Sequence, residues 1–182
     1  MTLYSVILFF HVLGVVLLFA AFGLEWVCLR GIRRAASIEQ VRAWTGAAAV
    51  TPRFHAFSGP LIIFAGAYLA TKMQAWPQGW ISMSLLGVVG MMALGMGVSA
   101  PRMRALGKAS MQPSALLADS IGRAQAPVFR YSLRIRLALG LGIILLMGSK
   151  SPLGISAAVM GVAVVAGLIA GAVGPSPKAV SA

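Results

Sequence analysis

Leu3-Tyr-Ser-Val-Ile-Leu-Phe-Phe-His-Val-Leu-Gly-Val-Val-Leu-Leu-Phe-Ala-Ala-Phe-Gly-Leu24 carries no charge and holds one of the two histidines, His11. A run of about 20 apolar residues is enough to cross a bilayer as a helix. Tyr4, His11, Leu18 and Glu25 recur at every seventh position, with Gly14 and Ala21 between them. On a helix these positions fall along one stripe, so polar groups and small residues share a face. An unpaired imidazole or carboxylate is costly in hydrocarbon, so this stripe is expected to face the protein interior. The remaining helices then have to cover it.

Composition agrees with this reading. Of 182 residues, 59% are hydrophobic and 10% charged, and the mean hydropathy is +0.91. Soluble domains carry roughly 25% charged residues. The formal charge is +12, but the basic residues stand in short connections between apolar runs. That is the pattern expected beside an anionic cytoplasmic leaflet, and no basic domain is present to hold nucleic acid. The single cysteine, Cys28, excludes an internal disulfide and reads as a small apolar filler. The N-terminus lacks the positive region of a signal peptide, and its apolar run is long, so a retained anchor is expected.

Five transmembrane helices are predicted, over residues 3–25, 54–71, 80–100, 132–148 and 153–174, followed by a polar tail at 175–182. The fold class is all-α, a polytopic membrane helix bundle forming a single domain. Arg-rich connections follow the first and third spans, whereas the two short connections carry only Lys72 and Lys150. The positive-inside rule then puts the N-terminus outside and the C-terminus in the cytoplasm. Within the first basic connection, Ser37-Ile-Glu-Gln40 has the form of a capping box opening a short interfacial helix, with Trp44 at headgroup depth. In the second, a helix opening near Pro113 would pair Asp119 with Arg123. Trp76 and Trp80 read as an interfacial belt. Pro60 is expected to kink the second span or mark its first well-formed turn. The uncharged part of the fourth span, Leu137 to Gly148, is short, and Arg134 and Arg136 would have to snorkel. Ala93 and Gly97, and Gly167 with Gly171, have the four-residue spacing of close helix packing, the second pair within the bundle or between protomers, with Ala163 and Gly174 in compatible rows.

The chemistry-bearing residues are few. His11 reads as an axial haem ligand, a metal ligand or a proton relay, or as a neutral histidine hydrogen-bonded to a carbonyl, Tyr4 or Ser5. His55 is expected near the opposite surface, too far from His11 to share one ion with it. Glu25 faces the side from which Arg53, Arg134 and Arg136 come. A Glu25–Arg53 ion pair would lock two helices; the alternative is a proton port along the Tyr4-His11-Glu25 stripe. Met91, Met92 and Met96 have the helical spacing of a thioether site for Cu(I), or of core fillers. Asp and Glu total 3, and the chain shows no phosphate-binding loop, Cys-x-x-Cys or nucleophile elbow, so hydrolytic and nucleotide chemistry lack equipment.

Three segments carry a resemblance: Leu8-Phe-Phe-His-Val-Leu-Gly14, Gly59-Pro60-Leu-Ile-Ile-Phe-Ala-Gly66 and Met147-Gly-Ser-Lys150-Ser-Pro152. Together they resemble a bacterial family of predicted integral membrane proteins known only as domain of unknown function twenty-two sixty-nine. More distantly, the early histidine of span one is similar to the copper-resistance D-type membrane proteins and to the membrane protoporphyrinogen oxidase that binds haem. That likeness implies haem or copper as candidate cofactors, with His11 the one residue carried over. The leading expectation is an accessory or structural inner-membrane protein, resting in the lipid bilayer and packing against itself or a membrane-protein partner through Gly167 and Gly171. The alternatives are a haem-binding redox protein using His11, and a copper or small-solute permease.

Overall fold

The computed structural model describes residues 2–173, so Gly174 and the tail at 175–182 lie outside the described residues. Among the described residues the chain is helical throughout. Helix α1 spans Leu3–Arg33, α2 Ile38–Ala48, α3 Thr51–Lys72 and α4 Gly79–Met92. A π-helical segment, Ala93–Ser99, continues α4 into α5, Ala100–Ser110. Then come α6 Leu117–Ala124, α7 Pro127–Ser149 and α8 Leu153–Ala172. Five helical stretches are long and apolar enough to cross a membrane.

Helix α1 begins where Thr2 caps it, its hydroxyl accepting from the Ser5 amide at 3.3 Å. Its buried residues are His11, Gly14, Ala21, Phe22, Glu25, Cys28, Leu29 and Ile32. These positions trace the stripe read from the sequence, beginning at His11, with Leu18 partly buried; Tyr4 is exposed. The stripe meets α3 first. A β-carbon at Gly14 would stand 2.8 Å from Leu61 Cβ and 3.1 Å from the Ile62 amide nitrogen, so only glycine allows this approach.

Helices α4, α7 and α8 form a second group. Gly79 lies against the backbone of Leu153, Gly87 against Met160, and Gly167 against the Ile135 backbone. The pair Gly167 and Gly171 is thus spent inside the bundle, the second against the Tyr131 ring, and does not offer an outward face to a partner. Ala93 and Gly97 behave oppositely. They fall in the π-helical segment, both are exposed, and a β-carbon on Gly97 would meet nothing within 4 Å.

The fourth span is longer than its uncharged part suggested. Helix α7 opens at Pro127, whose missing amide costs nothing in a first turn. It ends at Lys150, which adopts left-handed backbone at φ 49°. Arg134 is exposed, but Arg136 is 2% exposed and does not snorkel. Trp80 is likewise buried in the core rather than in an interfacial belt, while Trp76 is exposed.

Both basic connections fold into helices, as expected, but these pack on one another. Ile32, Ala35, Val41, Leu106 and Ala124 make a second small core. Ser37 caps α2 through the Gln40 amide, and the Gln40 side chain accepts from Ala36. Trp44 lies over Gly31 of α1, so it anchors α2 to protein rather than to headgroups. Asp119 and Arg123 make no ion pair; among the described residues the ion pair present is Glu25 with Arg136.

Candidate functional site

Helix α3 packs along α1 and makes no sustained contact with α4, α7 or α8. The two helix groups meet instead through α1 and α7, and through the helical cap. Between α3 and α4 this leaves a cleft of about 1090 Å³. Its floor is built by Phe19 and Phe22 of α1 and by Gly140 and Ile143 of α7. Leu85, Val88 and Met92 line one wall, and Ile62 and Ile63 the other. Its surface is overwhelmingly apolar, with polar groups at two depths.

At one depth stands His11. Its Nδ1 is 3.1 Å from the Ile62 carbonyl oxygen. A carbonyl can only accept, so Nδ1 carries the proton and Nε2 is the basic nitrogen. Gly66 abuts the same ring, a β-carbon there falling 3.0 Å from Cε1. The imidazole is held between a carbonyl and a glycine, with one nitrogen left for a ligand.

At the other depth lies an ion pair. Arg136 Nη2 donates to both Glu25 oxygens, at 2.6 and 2.7 Å, and to Ser99 Oγ at 3.2 Å. Arg136 Nε donates to the Ser132 carbonyl one turn back, at 3.2 Å. Its guanidinium carbon stands 5.2 Å from the centre of the Phe22 ring, a cation–π distance. The Ser132 hydroxyl is 2.8 Å from Ser99 Oγ and donates to the Leu94 carbonyl at 3.2 Å. That last bond reaches the π-helical segment. A π turn widens the helix and shifts its bonds from the fourth to the fifth residue on, and the Leu94 carbonyl that accepts from Ser132 lies in that segment. The same segment presents Gly95 to Arg136, where a β-carbon would come within 3.4 Å of Nη1.

This geometry corrects the expected Glu25–Arg53 pair. Arg53 is exposed on α3, two residues and so about 200° around the helix from His55. His55 faces α1, its ring centre 6.0 Å from that of Phe22, which turns Arg53 away from Glu25. Arg136 reaches Glu25 because its long side chain projects from α7 into the interior. His55 itself is half-buried in the cleft wall near the ion pair, not at an open surface. It is level with Phe22, eleven residues beyond His11 on α1, or about 16 Å by helix rise. The two histidines therefore serve different depths of one cleft.

The methionines do not share one face. Met91 is buried, its Sδ 3.8 Å from where a Gly140 β-carbon would lie, whereas Met92 and Met96 are 42% and 62% exposed. No group of three His, Cys, Asp or Glu able to hold a metal occurs among the described residues. Sequence reasoning missed Ser99 and Ser132, which read as ordinary span residues. The available signal was Ser132-x-x-x-Arg136, a hydroxyl one turn from an arginine within an apolar helix.

Fold and site together define a helical protein with five candidate membrane spans and a polar-tipped apolar cleft. No family model, curated protein or solved structure matches the chain.

Proposed function

We propose that this is an accessory protein of the bacterial inner membrane that holds an elongated, lipid-phase amphiphile in the cleft between α3 and α4. The observation that carries this reading is the cleft itself: 1090 Å³, lined almost entirely by apolar side chains, between two helices that make no sustained contact. A gap between two spans faces hydrocarbon, so its occupant enters from the bilayer rather than from water. The polar ends suit an amphiphile. Arg104 and Lys108 border the cleft at the helical cap, and Lys150 borders it at the other end. The Arg-rich connections after the first and third spans support an outside N-terminus and a cytoplasmic C-terminus, placing the cap in the cytoplasm.

Gly59→Trp tests the cleft. Gly59 lines it, and a β-carbon there meets nothing within 4 Å, so an indole is accommodated there and takes up space in the cleft. In membranes exposed to a diazirine-bearing fatty acid, cleft residues are expected to be photolabelled in the parent and several-fold less in Gly59→Trp. Equal labelling would remove the cleft as a binding site.

A second reading has one observation of its own. With Nδ1 bound to the Ile62 carbonyl, His11 Nε2 is the nitrogen that would hold a haem iron, since a carbonyl on the other ring nitrogen orients a ligating histidine. The cleft is also large enough for a macrocycle. Haem held there would supply one-electron chemistry; His11 would position it, and the apolar walls would exclude water. Protein purified from cells supplied with haem would then show a Soret band that shifts on reduction and vanishes in His11→Ala. A flat visible spectrum would leave the amphiphile reading alone.

A further inference from the structure

Beyond the cleft, a second group of charges takes no part in the ion pair. Arg33, in the last turn of α1, gives its Nε to the Ala124 carbonyl at 2.9 Å, but its Nη2 is buried with no acceptor. Arg130, in the first turn of α7, buries its Nε with no acceptor either. The bond to Ala124, six residues before Arg130, puts Arg33 and Arg130 at the same junction of α1, α6 and α7. No carboxylate offsets them: Glu25 belongs to Arg136, and Glu39 and Asp119 are exposed and unpaired among the described residues. Burying a guanidinium N–H without an acceptor is costly, and holding two like charges together adds to that cost.

Depth is set by the ion pair. Arg33 lies eight residues beyond Glu25 on α1, and Arg130 six residues before Arg136 on α7. By helix rise both are about 9–12 Å from the pair, in the direction of the cap. On the topology proposed above, this end of the bundle faces the cytoplasm, the side on which a headgroup phosphate would meet it.

We propose that Arg33 and Arg130 form a phosphate-binding site at the cytoplasmic rim of the bundle, occupied by the headgroup of an anionic phospholipid or by free phosphate. A phosphate group presents several acceptor oxygens, enough to take both orphaned N–H groups while neutralising the repulsion. The site is separate from the cleft and does not depend on its occupant.

The test is thermal unfolding of the full chain in nanodiscs, comparing the parent with Arg33→Gln, Arg130→Gln and Arg34→Gln. Arg34 is exposed beside the site and controls for general surface charge. Phosphatidylglycerol nanodiscs are expected to raise the unfolding temperature of the parent and of Arg34→Gln over phosphatidylcholine nanodiscs, and to do so much less for Arg33→Gln and Arg130→Gln. If inorganic phosphate gives the same protection in phosphatidylcholine, the site takes free phosphate; if only phosphatidylglycerol protects, it takes the lipid. Because each variant is its own reference between lipids, a lower baseline stability does not mask the result. Equal responses from all four proteins, or an equal loss in Arg34→Gln, would overturn the proposal.

Discussion

Glu25→Ala is expected to cost about 3–5 kcal/mol of stability, the usual result of removing one partner from a buried ion pair. The stranded group would be Arg136, which is 2% exposed and surrounded by Phe22, Ser99 and Ser132. Its remaining hydrogen bonds go to one hydroxyl and one carbonyl, which do not neutralise a charge. The complementary double variant, Glu25→Leu with Arg136→Met, removes both charges at similar volume and is expected to recover most of the loss. Buried pairs often trade evenly against well-packed apolar side chains, because both desolvation costs disappear with them. Unfolding followed by circular dichroism in mixed micelles measures both. Additive losses in the double variant would show that the two side chains stabilise the bundle separately. The pair would then be no lock between α1 and α7.

Gly167→Leu is the second large effect. A β-carbon there would stand 2.7 Å from Ile135 Cα and 3.1 Å from its nitrogen, and backbone cannot move aside as a flexible side chain can. Helices α7 and α8 must separate, at a cost of about 1–3 kcal/mol or more. Gly161→Leu, on the same helix with nothing within 4 Å, is expected to leave stability almost unchanged. Size-exclusion chromatography alongside the melts distinguishes two uses of this glycine. Unchanged stability with a shifted oligomeric state would mean that the face meets a second protomer instead of α7.

The interior face of α1 was legible residue by residue, because a 3.6-residue period maps sequence directly onto one side of a helix. His11, Gly14, Ala21 and Glu25 are buried as their spacing requires, and Leu18 is partly buried. The helices in the basic connections were legible for a related reason: caps and apolar periods are local. What those helices pack against was not. Trp44 has the composition of a headgroup anchor, yet it covers Gly31, a residue on another element.

The candidate site was legible only in part. His11 and Glu25 stood out because polar groups in an apolar span must find partners. Their partners are a backbone carbonyl, which every residue has, and an arginine 111 positions away. Choosing Arg136 over Arg53 depends on which way α3 is rotated when it packs on α1. The sequence by itself determined five helices long and apolar enough to cross a membrane and most of the interior stripe, because these follow from hydropathy and local spacing. The tertiary structure alone decided the partner of Glu25, the π-helical segment that meets Ser132, the internal use of Gly167 and the open cleft between α3 and α4. Each of those depends on the rotation and separation of helices distant in sequence, which close packing fixes and periodicity does not.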